Sequence, residues 1–126
     1  MDIKTNLEAV QESIASACRR AGRAPGEVLL IAVSKTVDLE RIRAAVAAGA
    51  AALGENRVQE AKDKVAALGR PVPWHLIGSL QNNKARDAVM LFDWIHSVDR
   101  LDLAQELSRR AHGAGRPLNV LLQVNL

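Results

Sequence analysis

The segment that most constrains this fold is residues 28–36, VLLIAVSKT, an apolar run of strand length that ends in a lysine and a threonine. A nearly continuous aliphatic run is typical of a parallel strand that helices cover on both faces. In parallel α/β folds the chemistry lies beyond the carboxyl ends of the strands, which is where Lys35 falls. We therefore interpret this segment as a buried parallel strand with Lys35 at its functional edge.

Lys35 has two interpretations. A lysine at the rim of an apolar interior is difficult to keep charged, so its pKa falls and its amine becomes a nucleophile toward aldehydes. The alternative is an ordinary lysine in solvent at the end of a strand. The segment alone favours this second interpretation, so the rest of the chain must decide between them.

The composition favours helices packed on a parallel sheet. Of the 126 residues, 48% are hydrophobic but only 2% are aromatic, so the core must consist of Ala, Leu, Val and Ile. The net charge of +3 comes from dispersed Lys and Arg, which argues against a nucleic-acid partner. Because no apolar run is long enough for a bilayer or a secretory signal, we expect a cytoplasmic protein with no membrane partner.

Helical and strand patterns alternate along the chain at intervals of roughly two dozen residues, the rhythm of right-handed βαβ crossovers. Thr5 and Glu8 have capping-box spacing, which predicts Thr5 as the N-cap of the first helix. Asp38 and Asp99 are the predicted caps of later helices. The predicted strands cover residues 28–36, 50–53, 74–78, 92–98 and 119–124. The pattern predicts an α/β fold of parallel βα repeats in a single domain, residues 1–126.

Periodicity does not tell whether this sheet closes. A complete eight-stranded barrel takes about 250 residues, and this chain supplies about half of its units. Neither a GxGxxG turn nor a GxxxxGK[ST] motif occurs, so the usual nucleotide signatures of open sheets are missing. We therefore predict about the first half of a TIM barrel.

Polar side chains collect at the predicted carboxyl ends of the strands. They are Lys35, Glu55, Asn56, Ser79, Gln81, Ser97, Asp99 and Asn125. An amine among amides and hydroxyls suits a carbonyl or aldehyde ligand better than a metal ion. His75 and His96 do not have metal-ligand spacing, so we expect no metal site and interpret each as a hydrogen-bonded core histidine.

The remaining reactive residue types have structural interpretations. Cys18 lies on the apolar face of the first predicted helix and is expected to be a small buried hydrophobe. Lys84 and Arg86 are expected to be solvated helix residues, as are the lysines other than Lys35.

Five motifs, taken in order, resemble the pyridoxal-phosphate homeostasis protein family (the YggS/PROSC group). They are AVSKT at 32–36, GENRVQE at 54–60, WHLIGSLQNNK at 74–84, DWIHSVD at 93–99 and PLNVLLQVN at 117–125. The eleven residues at 74–84 are the most specific of these, whereas VSKT alone would be weak. The resemblance covers the chain from about the first helix to the last residue.

The resemblance implies a barrel like the N-terminal domain of alanine racemase, with pyridoxal 5′-phosphate held as a Schiff base by Lys35. It further implies that Asn56, and after it His75, line the cofactor. The implied function is cofactor homeostasis, delivery to pyridoxal-phosphate-dependent enzymes and amino-acid balance, without established catalysis. The alternatives are a racemase-like enzyme that uses the same cofactor, and a structural fragment that binds it poorly.

The resemblance also implies a departure at the C-terminus. Members of the family form a complete barrel, in which loops near the last strands hold the cofactor phosphate and a late arginine lies beside the pyridine nitrogen. We therefore expect a chain truncated after the fifth barrel strand, with its phosphate-site residues unassigned. We also expect the truncated chain to self-associate, because its outer strands would have unpaired edges.

Overall fold

Helices and strands alternate from one end of the chain to the other in a computed structural model, which describes residues 2–126. The described helices are α1 (Ile3–Ala21), α2 (Leu39–Ala47), α3 (Val58–Leu68), α4 (Ala85–Leu91) and α5 (Leu101–Ala114). The described strands are β1 (Ala32–Val33), β2 (Leu53–Glu55), β3 (Trp74–Leu76), β4 (Trp94–Val98) and β5 (Asn119–Leu122). Short 3-10 turns at Pro25–Glu27 and Asn82–Lys84 precede β1 and α4.

Within the described residues, the five strands form one sheet in the order β1-β2-β3-β4-β5, and every neighbouring pair is parallel. Parallel neighbours need a crossover, and helices α2 to α5 supply one between each pair of strands. The predicted α/β class and the predicted half of a TIM barrel are confirmed.

The register of the strands defines two faces of the sheet, because paired residues in neighbouring strands share a face. One row runs through Val33, Gly54, His75, Trp94 and Asn119, and we call its side the open face. The opposite side is the helix-covered face. Its strand residues include Leu53, Trp74, Leu76 and Ile95, which pack into one core with helix residues such as Ile42, Ala61, Val89, Leu103 and Leu107.

The first strand is shorter and more exposed than predicted. Regular pairing is confined to Ala32–Val33, and Val28 and Leu29 are 38% and 54% exposed. The reason is that β1 is an edge strand with β2 as its one neighbour, so the apolar run before it has no second strand to cover it. The prediction of a buried strand over residues 28–36 is therefore wrong in extent and in burial.

The other strands also differ from their predicted limits. Strand β2 begins at Leu53, the last residue of its predicted segment. The alanines before Leu53 have little strand propensity, so the limits of β2 are set by its pairing with β3 and not by its own sequence. The third, fourth and fifth lie inside their predicted segments but are shorter.

Two of the three predicted helix caps are wrong. The cap of α1 is Asp2, whose carboxylate accepts hydrogen bonds from Lys4 N at 3.1 Å and from Thr5 Oγ1 at 2.6 Å. A carboxylate also favours the positive end of the helix dipole, so Thr5 supports the cap instead of forming it. Asp38 caps α2 as predicted, through Arg41 N at 2.8 Å. Asp99 does not cap α5, because its carboxylate pairs with the guanidinium of Arg100 at 2.9 Å.

Two further features bear on the class of protein. Cys18 is buried on the inner side of α1, as predicted. Between residues 2 and 126, none of the helices combines the length and the apolarity that crossing a bilayer requires.

Candidate functional site

Lys35 and Asn56 lie in the turns just beyond the carboxyl ends of β1 and β2. Val33 pairs with Gly54 on the open face, and the side chain of Ile31 lies on the same face, since a Cβ atom on Gly54 would lie 2.9 Å from Ile31 Cγ2. The turns that follow two neighbouring strands therefore carry an amine and an amide at the same edge of the sheet.

Lys35 is exposed and has no salt-bridge partner among residues 2–126. It therefore does not lie at the rim of an apolar interior as predicted, because β1 is an edge strand among the described residues. Its amine is nevertheless free of carboxylates, whereas Lys62 pairs with Asp87 at 3.9 Å. A free amine is what condensation with an aldehyde requires.

Gly78 sets the position of the Asn56 backbone. A Cβ atom added to Gly78 would lie 2.5 Å from the carbonyl oxygen of Asn56 and 3.0 Å from its Cα atom. The loop after β3 therefore packs directly on the peptide that carries the Asn56 side chain, which is half-buried. This role of Gly78 was not predicted, and the sequence signal for it is a glycine directly after an apolar strand.

The two strand histidines form one hydrogen-bonded pair on the open face. His75 Nδ1 lies 2.8 Å from His96 Nε2, and the two rings meet edge to face. The His75 ring also stacks on Trp94, its register partner, with 5.8 Å between the ring centroids. His75 is 2% exposed, so the prediction of a buried, hydrogen-bonded histidine is confirmed for this residue.

Burial lowers the pKa of both histidines below the ordinary value of 6.5, and proximity to His96 lowers that of His75 further. Both rings are therefore mainly neutral at neutral pH. A neutral imidazole has one donor and one acceptor nitrogen, which is what a single N–H···N bond between two rings requires. The pairing of the two histidines was not predicted, although their spacing of 21 residues is about one βα repeat.

A buried charged cluster lies on the other side of the same strand ends. Lys64 on α3 is only 7% exposed, and its ammonium donates to Glu55 Oε2 at 3.0 Å, Glu60 Oε2 at 2.7 Å and the carbonyl oxygen of Ser34 at 2.5 Å. The Ser34 hydroxyl donates to Glu55, which is fully buried. Glu60 Oε2 also accepts from Thr36 N at 2.6 Å. We call Ser34, Glu55, Glu60 and Lys64 the buried cluster.

The charges of the buried cluster depend on one another. The hydrogen bond from Lys64, followed by that from the Thr36 N–H, lowers the pKa of Glu60. Glu55 Oε1 is buried with no hydrogen-bond partner among residues 2–126, so Lys64 is the cation that compensates this carboxylate. The prediction that every lysine other than Lys35 is solvated is therefore wrong for Lys64. The signal for this cluster was the i,i+4 spacing of Glu60 and Lys64 on a predicted helix.

The other polar residues predicted at the strand ends do not gather into one site. Ser79, Gln81, Asp99 and Asn125 are exposed, whereas Ser97 is buried. Arg100 closes the loop after β3 by donating to the carbonyl oxygen of Leu80 at 2.9 Å and to Asn82 Oδ1 at 2.8 Å. Lys84 and Arg86 are exposed, as predicted.

Comparison with known proteins identifies the family. Residues 5–126 match the family described as alanine racemase, N-terminal domain. The chain belongs to the alanine racemase N-terminal domain family. It is also similar to the pyridoxal phosphate homeostasis proteins of Escherichia coli K12 (44% identical over 129 residues, 99% of this chain and 55% of the relative) and Pseudomonas aeruginosa (47% over 125 residues, 98% and 54%). The resemblance drawn from the motifs is confirmed.

Solved structures of this family agree with the fold. A protein of unknown function from Bifidobacterium adolescentis is 40% identical, with a TM-score of 0.91 over 98% of this chain and 55% of the other. PipY of Synechococcus elongatus with pyridoxal phosphate bound is 50% identical, with a TM-score of 0.78 over 90% of this chain and 55% of the other. The chain thus spans about half the length of the curated relatives and solved structures that it matches.

Proposed function

We propose that this chain supplies the Schiff-base half of a pyridoxal 5′-phosphate site, in which Lys35 bonds the cofactor and Asn56 and His75 contact it. The observation that carries the proposal is the exposed amine of Lys35, which has no salt-bridge partner among residues 2–126 and lies in the turn after β1, next to the strand whose turn carries Asn56. The relative from Synechococcus elongatus, whose structure contains pyridoxal phosphate, supports it. The wider role in this proposal is storage and delivery of the cofactor to enzymes that use it, and the word homeostasis in the name of the curated relatives supports it.

The three proposed residues fit this cofactor chemically. When bound, the cofactor supplies an aldehyde that condenses with a primary amine and releases water. Lys35 provides the amine, and the Asn56 amide provides both a donor and an acceptor for polar ring substituents. The neutral His75–His96 pair can accept or donate one proton in a hydrogen bond without bringing a charge beside the ring.

The experiment is reductive trapping followed by peptide mapping. The chain is incubated with pyridoxal 5′-phosphate, reduced with borohydride and digested, and the labelled peptide is identified by mass spectrometry. We expect the label on Lys35, and Lys35→Ala should abolish both the label and the visible absorbance of the Schiff base. Lys62→Ala, which removes another exposed lysine, is the matched control and should leave both unchanged. A label on Lys62 or Lys84 instead of Lys35 would contradict the proposal.

A second measurement separates storage and delivery from catalysis. Exchange of the α-hydrogen of an amino acid with deuterated solvent requires an acid/base group that acts on the bound substrate. We expect no exchange above the rate of free cofactor, together with transfer of the bound cofactor to an apoenzyme that needs it. Exchange that depends on Lys35 would establish a racemase-like activity instead.

A further inference from the structure

The peptide groups on both sides of Lys35 are bound by the same ion pair of the buried cluster. The carbonyl oxygen of Ser34 accepts from Lys64 Nζ at 2.5 Å, and Thr36 N donates to Glu60 Oε2 at 2.6 Å. Lys64 and Glu60 are themselves joined at 2.7 Å. The contacts form a closed loop, from the residue before Lys35, through two side chains of α3, to the residue after it.

The backbone at this point needs such support. Thr36 has φ of 61°, and it is the one residue other than glycine with positive φ among residues 2–126. A β-branched residue in the left-handed region is strained and persists only where its surroundings hold it. The bond from Thr36 N to Glu60, and the bond from its hydroxyl to the carbonyl oxygen of Lys35 at 2.6 Å, are the contacts that hold it.

The cluster is also more polar than packing alone requires. Lys64 is 7% exposed and Glu55 is fully buried, although core residues close to them in the chain, such as Leu53 and Ala61, are apolar. Buried charges stabilise a fold little better than apolar residues of similar size, so their presence calls for a role beyond stability. The backbone of Lys35 is what this cluster contacts.

We propose that Lys64 and Glu60 are positioning residues for Lys35, which fix its backbone so that its amine projects from the turn after β1 toward an aldehyde. This inference rests on the proposed function of Lys35, which it deepens. Neither Lys64 nor Glu60 touches the reacting atoms. They act through the peptide groups of Ser34 and Thr36.

The test compares Lys64→Met and Glu60→Met with Lys62→Met, a matched control on the same helix whose lysine is exposed. The probe is pyridoxal 5′-phosphate, and the readouts are the fraction of label on Lys35 and the visible circular dichroism of the bound cofactor, which reports its orientation. In the first two variants we expect a fall of about tenfold or more in labelling of Lys35, the fold-change for losing one charge-assisted hydrogen bond. The control should match the unmodified chain.

Glu60→Gln is the conservative variant. It keeps the proposal testable if Lys64→Met fails to fold. An amide oxygen can still accept from Thr36 N, so labelling and visible circular dichroism should recover toward those of the unmodified chain. A merely structural cluster would lower thermal stability and leave both readouts unchanged in the folded fraction. Equal labelling of Lys35 in Lys64→Met, Glu60→Met and Lys62→Met would overturn the proposal.

Amide hydrogen exchange at Thr36 tests the same inference without cofactor. We expect its N–H to be protected in the unmodified chain and in Lys62→Met, and to exchange much faster in Lys64→Met and Glu60→Met. Equal protection in all four proteins would show that the cluster does not hold this backbone. If Lys35 is not labelled in the unmodified chain, the proposed function is wrong. The exchange measurement alone then decides whether the buried cluster holds the backbone at Thr36.

Discussion

Neighbouring residues of the same motif differ in burial at the ends of β1 and β2. On the helix-covered face, Ser34 and Glu55 are buried and joined to Lys64. Lys35 and Asn56, the next residues in each motif, lie in the turns that follow and are more exposed. Side chains one position apart therefore differ in burial at the point where the chain leaves the sheet.

The more buried lysine is the weaker candidate for reaction with an aldehyde. Lys64 is buried and donates hydrogen bonds to three oxygen atoms, so its ammonium has no lone pair with which to attack an aldehyde. Lys35 is exposed and has no carboxylate partner among the described residues. This contrast is why we propose Lys35 for the chemistry and Lys64 for positioning.

The largest effect that would test this contrast is on stability. Lys64→Met leaves the buried Glu55 carboxylate without its cation and should lower the free energy of unfolding by about 3–5 kcal/mol. Lys35→Met should change it by at most about 0.5 kcal/mol, since the side chain is exposed. Urea denaturation measures both values. Equal losses in the two variants would remove the distinction between the two lysines.

A smaller loss is expected where the loop after β3 packs on the backbone of Asn56. Gly78→Ala would place a Cβ atom 2.5 Å from the carbonyl oxygen of Asn56, and the resulting backbone shift should destabilise the fold by about 1–3 kcal/mol. It should also weaken labelling of Lys35, because Asn56 moves. Gly113→Ala is the control, since nothing lies within 4 Å of its added Cβ atom and its helix should gain stability. Unchanged stability and labelling in Gly78→Ala would show that this contact is dispensable.

The edges of the sheet should make the chain self-associate. Strands β1 and β5 each have one neighbour, and exposed apolar side chains such as Val33 and Leu121 lie along them. Sedimentation velocity over a dilution series should show species larger than a monomer, and Leu121→Lys should weaken them. Leu101→Lys, which charges an exposed leucine on α5 instead of one at a sheet edge, is the control. A monomer at all concentrations would contradict the prediction.

Much of the architecture could be predicted because its signals are local and repeated. Aliphatic strands and amphipathic helices alternate, and this is enough to predict a parallel sheet. The motif around Lys35 and Asn56 directed attention to the strand ends where both residues lie. His75 was predicted as a buried, hydrogen-bonded histidine from its place inside an apolar strand.

The remainder depends on contacts between distant residues. Whether Val28 is covered depends on which strand is at the edge, and the pattern of one segment does not contain that information. Lys64 has the helical position of an ordinary surface lysine until Glu55 and Ser34 are brought against it across the sheet. The competition between Asp2 and Thr5 as cap is decided by acceptor strength and charge, which capping-box spacing does not weigh.

The smallest effect concerns pH and the histidine pair on the open face. Because burial lowers the pKa of His75 and His96 below 6.5, the unfolded chain binds more protons than the folded chain just below that pH. The contribution of the neutral histidine pair to stability is therefore fully present above pH 6.5 and is lost as pH falls from there through the folded-state pKa values.

The experiment measures urea midpoints between about pH 7.5 and about pH 5. These midpoints should decline with falling pH in the unmodified chain and in the control His112→Gln. They should decline less in the double variant His75→Gln/His96→Gln, which replaces the pair by amides that do not titrate. An identical decline in the double variant would assign the pH dependence to other groups, such as the Glu60 carboxylate, whose pKa is lowered by its hydrogen bond from Lys64.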